Sequence, residues 1–170
     1  MSTFLVPITN DFFNNIIKIK FKNVLDGFNN YPSYTIMSNN KTNEIKEEII
    51  TKFILKVFKI NNNLCYIDFY ISKLQKEDIN NLIKLTPNED KDILIQNINL
   101  KHDGIYYKVD NKELIPFLVR LSTREIFFIT FYFNKIPITI WGNYNMEFPC
   151  FFENENDMKF YKDLWKKLDE

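Results

Sequence analysis

Ile126-Phe127-Phe128-Ile129-Thr130-Phe131-Tyr132-Phe133 is apolar at nearly every position. A strand with one wet face alternates apolar and polar residues, so an unbroken aromatic and β-branched run predicts a central strand covered on both sides. Asn134-Lys135 follows as a two-residue turn. Ile136, Ile138 and Ile140 then alternate with Pro137, Thr139 and Trp141, which predicts a second strand with one buried face. Residues 147–152 add a third, so a sheet is expected in the C-terminal half.

Downstream, Phe160, Leu164 and Leu168 share one face of a helix over 156–168, with Tyr161 and Trp165 beside them. Asp157 falls in its first turn and Lys162, Lys166 and Lys167 later, as the helix dipole favours. Upstream, 111–121 is helical in pattern, with Pro116 expected to kink the helix or confine it to its downstream part. Ile93–Leu100 and Ile105–Val109 are β-prone runs flanking Lys101-His102-Asp103-Gly104, and Asp-Gly there predicts a hairpin. Leu64–Ile71 alternates Cys65, Ile67, Phe69 and Ile71 with Tyr66, Asp68 and Tyr70, a strand pattern; 76–85 is a short helix. Residues 43–58 place Ile45, Ile49, Phe53 and Val57 four apart, and 10–28 place Phe13, Ile17, Phe21, Val24 and Phe28 three or four apart. Both predict amphipathic helices, with a loop over 29–40 between them. Residues 1–170 are thus expected to form one α+β domain, with a mainly antiparallel sheet weighted to the C-terminal half and flanking N- and C-terminal helices.

No alanine, three glycines and two arginines occur among 170 residues, while asparagine (23), isoleucine (24), lysine (20) and phenylalanine (17) fill their places. The abundant types are those of A/T-rich codons, so plentiful Asn and Lys report the gene and carry no functional message. With 45% hydrophobic residues and zero formal charge, the chain has material for a core and lacks the signature of disorder. The balance of 22 basic and 22 acidic residues argues against direct nucleic-acid binding, where phosphate neutralisation supplies most of the affinity. Cys65 and Cys150 sit in apolar stretches without metal-type spacing and are expected to be reduced core thiols. Met1–Pro7 lacks the charged start and long apolar centre of a secretory leader. No apolar run approaches the ~18–20 residues of a membrane span. Cytoplasmic residence without membrane contact is the expectation.

Catalytic chemistry is sparse. His102, the one histidine, adjoins a hairpin glycine, and Gly27, Gly104 and Gly142 are isolated, which excludes phosphate-cradling and dinucleotide loops and a nucleophile elbow. No metal site and no cofactor are expected. Asp68, in a strand pattern, and Glu125, leading the central strand, are the carboxylates placed for partial burial, and paired carboxylates can hydrolyse without histidine. Both arginines, Arg120 and Arg124, fall beside Glu125 in a chain that otherwise uses lysine for positive charge, so the planar guanidinium fork has a purpose there. It holds an internal carboxylate, Glu125 being one choice, or meets a partner. Residues 136–157 carry Glu147, Glu153, Glu155 and Asp157 interleaved with Trp141, Asn143, Tyr144, Phe148, Phe151 and Phe152.

 The stretch Ile136–Asp157 itself holds no lysine or arginine at all. Aromatic anchors with an acidic rim suit an interface to a basic protein.

Small size, a cytoplasmic character, no visible catalytic apparatus and an A/T-skewed gene make the whole chain similar to small bacterial immunity proteins, including those paired with contact-dependent inhibition toxins. The resemblance is one of class and rests on no motif; Ile140-Trp141-Gly142-Asn143-Tyr144 has the look of a signature without naming a family. It implies a non-catalytic protein that neutralises a cognate toxin, often a nuclease with a basic surface, by stoichiometric occlusion. Trp141, Asn143 and Tyr144 would then anchor the contact, with Glu147, Glu153, Glu155 and Asp157 standing in for the nucleic-acid substrate. Two other expectations are a phage or plasmid anti-defence inhibitor of a host nuclease complex, and a carboxylate- or metal-dependent hydrolase using Asp68 or Glu125.

Overall fold

The computed structural model describes residues 4–100 and 102–170. Met1–Thr3, part of the leader reading, and Lys101, part of the expected hairpin turn, lie outside the described residues. The strands β1 (Val6–Pro7), β2 (Ser33–Ile36), β3 (Cys65–Asp68), β4 (Tyr106–Val109), β5 (Thr130–Phe133), β6 (Ile138–Trp141) and β7 (Phe148–Phe152) form one sheet of order β1-β4-β3-β5-β6-β7-β2. Every pairing is antiparallel. The helices are α1 (Asn10–Ile16), α2 (Val24–Asn30), α3 (Asn43–Ile60), α4 (Lys76–Leu85), α5 (Asn88–Ile98), α6 (Leu114–Thr123) and α7 (Glu155–Asp169). The fold is α+β.

β5 takes the middle of the sheet with all four residues buried, as its composition demands. It is shorter than the apolar run. The amides of Ile126 and Phe127 both donate to the Leu121 carbonyl, at 2.9 and 3.0 Å, and the Ile129 amide donates to Ser122 Oγ at 2.9 Å, which draws the first half of the run back onto the end of α6.

Alternation along the strands divides the sheet into two faces. Ile67, Phe131, Ile140 and Phe148 join the stripe Ile50, Phe53, Ile54 and Val57 of α3, the apolar side of α6, and Tyr161 and Trp165 of α7 in one large cluster. α3 is built for this layer. Thr42 caps its N-terminus by accepting the Ile45 amide, Glu44 sits in its first turn, and apolar residues recur at spacings of three and four. Asn61-Asn62-Asn63 then turns the chain into β3, with Asn62 and Asn63 in the left-handed region that asparagine tolerates (φ 62° and 56°). Buried Asn61 locks the layers together. Its amide donates to Val57 O and to Tyr161 Oη, its Oδ1 accepts the Ile136 amide at 3.0 Å, and Tyr161 Oη donates to Ile136 O at 2.8 Å.

The opposite face is covered thinly. Phe13 and Ile17 from the α1 region pack on Tyr66 and Tyr132, and Phe21 and Phe28 pack edge-on to Phe151. One helix was expected over 10–28, and two short ones form. Ile17 to Lys22 leaves the helix because Ile19 O accepts Thr139 Oγ1–H at 2.7 Å and the Lys18 amide reaches Asn134 Oδ1, while Asn23 caps α2 by accepting the Asp26 amide at 3.1 Å.

The expected 93–100 strand and its hairpin do not form: these residues lie in and just after α5. Asp90, Leu94 and Asn97 are the buried positions of that helix, a spacing of four and three. Asp-Gly leads instead into β4, which pairs with β3 and β1. Two further differences concern turns and edges. The β5–β6 connection spans 134–137 rather than two residues, and 33–36, within the expected loop, is edge strand β2. Pro116 stands third in α6, in the first turn, where its missing N–H costs no helical hydrogen bond. Cys65 and Cys150 are both free and buried, on β3 and β7. Three strand spacings separate them, roughly 14 Å, beyond disulfide reach.

Arg120 forks onto Asp90 with Nε and a terminal nitrogen, both at 2.6 Å, and Arg124 forks onto Glu47 at 3.0 and 2.8 Å. These bidentate pairs tie α6 to α5 and α3. The Asp90 side chain is 2% exposed and the Arg124 side chain 41%. Arg120→Leu strands a buried charge and is expected to lower unfolding free energy by about 3 kcal/mol. Arg124→Leu leaves Glu47 its hydrogen bond from Thr123 Oγ1 at 2.6 Å, and roughly 1 kcal/mol is expected there. Urea unfolding of the two variants beside the wild type measures the difference.

Candidate functional site

Strand registers set Tyr106, Asp68, Thr130 and Trp141 side by side across β4, β3, β5 and β6, on the thinly covered face. The adjacent row is Lys108, Tyr66, Tyr132, Thr139 and Phe151. α1 and the extended 17–22 segment cross this face without closing over the first row. A cleft of about 320 Å³ remains, with Asp68 on its floor. Phe13 stacks on Tyr106 at 3.6 Å between centroids and 7° between planes, with Tyr132 edge-on at 4.9 Å, and forms one wall. Phe21 stacks on Trp141 at 5.6 Å and 24° and forms the other. Tyr70, Asn14, Lys20 and Lys22 complete the mouth. The Lys20 ammonium donates to Asn14 O and Ile17 O, each at 2.8 Å, and so satisfies carbonyls at the end of α1.

Asp68 is 8% exposed. Its Oδ1 accepts the Thr130 amide at 2.9 Å and its Oδ2 accepts the Tyr132 hydroxyl at 3.2 Å. Each oxygen keeps lone-pair capacity beyond those bonds, and no cation among the described residues pairs with it. Burial pushes the carboxyl up to about 6, against the pull of the two hydrogen bonds. Burial likewise raises Tyr132, Tyr106 and Tyr70, and the Asp68 charge adds to each. These phenols stay protonated and remain donors. The cleft offers one acceptor carboxylate, neutral donors and ring faces.

The acidic and aromatic stretch expected to be a contact surface is not gathered into one patch. Phe148, Phe151 and Phe152 are buried on either side of β7. Glu147 lies before that strand, and Glu153 and Glu155 lie after it, exposed. The six-residue separation along extended chain is roughly 20 Å. Asp157 belongs to the cap of α7, where Asn154 Oδ1 accepts its amide at 2.9 Å and Asn154 Nδ2 donates to its carboxylate at 3.0 Å. Tyr144 is exposed and meets Phe128 edge-on, and Asn143 beside it is half-buried. Only Trp141 of that stretch reaches the cleft. Neither arginine pairs with Glu125, whose Oε1 accepts the Asn145 amide at 2.9 Å. His102 rests edge-on against Tyr107, whose side chain faces the large helical cluster and not Asp68.

Of the cleft, sequence reasoning singled out Asp68 and Trp141 and missed Phe13, Phe21, Tyr106 and Tyr132. The alternation of Tyr66, Asp68 and Tyr70 carried the signal that a polar residue shared a face with rings. Among the described residues no group of three or more His, Cys, Asp or Glu is placed to hold a metal ion, and no helix is long and apolar enough to cross a membrane. No family model, no curated protein and no solved structure matches the chain.

The raised carboxyl gives a stability effect of definite sign. Below pH 3.8 both folded and unfolded chains carry the proton. Between 3.8 and about 6 the folded state retains a proton that the unfolded state releases, so the contribution of Asp68 to stability falls as pH rises. Above about 6 the full penalty stands, roughly 3 kcal/mol. Asp68→Asn keeps an acceptor for the Thr130 amide and removes the charge. The variant is expected to unfold at higher urea than the wild type above pH about 6, an advantage that shrinks as pH falls to 3.8. Urea titrations across that window check it.

Proposed function

We propose that the protein is a non-catalytic binding protein of the toxin-neutralising kind, which occludes a basic partner stoichiometrically through the α1/α2 side of its sheet. The observation that carries this reading is the open, ring-walled cleft whose buried carboxylate has no cation of its own. Exposed apolar side chains surround it on the same side: Phe12 and Tyr70 are 45% and 46% exposed and Leu25 on α2 is 68% exposed. Rings at the centre of an interface supply burial, and an uncompensated carboxylate supplies selectivity for a basic partner. On this reading the working surface is this face, and of residues 136–157 only Trp141 reaches its cleft.

A second reading is favoured by one feature, the carboxyl held near neutrality, which suits a general acid or base. It makes the protein a hydrolase with Asp68 as the proton-transfer group. Turnover of a substrate, abolished by Asp68→Asn, would establish it.

The occlusion reading predicts that a toxin-like domain is encoded beside the gene, and coexpression with that domain tests it. Wild-type chain is expected to restore growth, and Phe12→Asp with Leu25→Asp is expected to lose protection while folding normally, with partner affinity reduced roughly thirtyfold or more. Glu153→Gln with Glu155→Gln is expected to protect fully. Full protection by the Phe12/Leu25 variant sinks the proposed surface.

A further inference from the structure

We propose that the cleft over Asp68 is an arginine receptor: a guanidinium from the partner enters between the Trp141–Phe21 and Tyr106–Phe13 walls and pairs with the Asp68 carboxylate. This rests on the binding reading above and names the group that the surface takes in.

Three features select that chemistry. A carboxylate this deeply buried is stabilised by a charge brought to it far more than by a neutral donor, because desolvation leaves its charge uncompensated. Its two oxygens accept the Thr130 amide and the Tyr132 hydroxyl, the Thr130 side chain adds to that pull, and the roughly four acceptor sites of a carboxylate leave capacity beyond these bonds. A planar fork with two parallel N–H groups matches that remaining capacity. The flanking walls are ring faces and edges, which attract a cation and accept a flat group in stacking contact. An ammonium would satisfy the charge but would leave the ring walls without a flat surface to stack on.

The lysines at the mouth do not supply that cation. Lys20 is held by the Asn14 and Ile17 carbonyls. Lys22, at the rim of the lining, is exposed and forms no ion pair with Asp68. A guanidinium is the weaker hydrated of the two cations and is the one suited to a dry, ring-lined floor.

The test titrates N-acetyl-arginine methylamide into the intact chain at millimolar concentrations, with N-acetyl-citrulline methylamide as the uncharged isostere. NMR follows the Trp141 indole and the Thr130 amide, and buried Trp165 in the other layer serves as internal control. The arginine probe is expected to shift Trp141 and Thr130 and leave Trp165 unmoved. Citrulline, and arginine on Asp68→Asn, are expected to bind roughly tenfold to a hundredfold more weakly. Lys22→Gln is expected to bind the arginine probe as tightly or more tightly. Equal response to citrulline, no response to arginine, or weakening by Lys22→Gln would each overturn the proposal. The two proposals fail separately. An arginine-blind cleft beside a Phe12/Leu25 variant that loses protection removes the receptor alone, and an arginine-responsive cleft beside a variant that protects fully removes the occlusion reading alone.

Discussion

The pairing of β3 with β5 at the middle of the sheet governs both layers of the molecule. Ile67 opposite Phe131 sends two apolar side chains into the helical cluster, and Asp68 opposite Thr130 sends a carboxylate to the other side. Strand periodicity is two, so a shift of one residue would reverse both assignments and bury Asp68 among the side chains of α3 and α6. The register is held from both ends. At one end Asn61, Ile136 and Tyr161 fasten the exit of α3 to the β5–β6 turn. At the other, Asp68 Oδ1 accepts the Thr130 amide at 2.9 Å. In the neighbouring β5–β6 pair the Gly142 amide donates to Ile129 O at 3.0 Å, an approach only glycine permits because a Cβ there would lie 2.6 Å from that oxygen. The site is consequently a by-product of the same pairing that completes the core.

The two faces are unequal because their covers are unequal. α3 is eighteen residues long and lays a broad apolar stripe on the sheet. α1 and α2 are seven residues each and cannot roof a sheet of seven strands, six of them four or five residues long. Rings fill the deficit. Tyr106, Phe13, Tyr132, Trp141, Phe21, Phe151 and Phe28 form two stacked and edge-on groups whose gap is the cleft. Large planar side chains give burial with few rotatable bonds, which lets a short cover hold a defined opening.

Much of this architecture was legible in the sequence. The run 126–133 marks the middle of the sheet because a strand buried on both sides has no other composition, and the stripes of α3 and α7 follow helical spacing over many residues. Short segments carry less periodicity, and there tertiary contacts decided. Ile17-Lys18-Ile19-Lys20-Phe21-Lys22 alternates with period two as well as fitting a helix, and Thr139 and Asn134 on the sheet select the extended form. Ile93–Leu100 is rich in β-prone residues, yet Asp90 is needed by Arg120 and Leu94 and Asn97 share its helical face. The partners of both arginines lie thirty or more residues away, at Asp90 and Glu47, where no local pattern points. The acidic stretch misled because proximity in sequence along a strand and its flanks is the opposite of proximity in space: β7 holds its two ends apart.

What distinguishes a binding cleft from a catalytic one here is the company of the carboxylate. Acid–base hydrolysis divides two proton-handling roles between groups whose environments differ. The lining of this cleft brings Asp68 rings, two lysines, Asn14 and three phenols, and burial and the Asp68 charge hold those phenols in their neutral form. Among the described residues no second carboxylate lines it, and His102, edge-on to Tyr107, is not part of its lining. A lone carboxylate whose hydrogen bonds come from a backbone amide and a neutral hydroxyl is well placed to receive a charge and poorly placed to pass a proton onward. That asymmetry is the chemical ground on which the proposed recognition role rests.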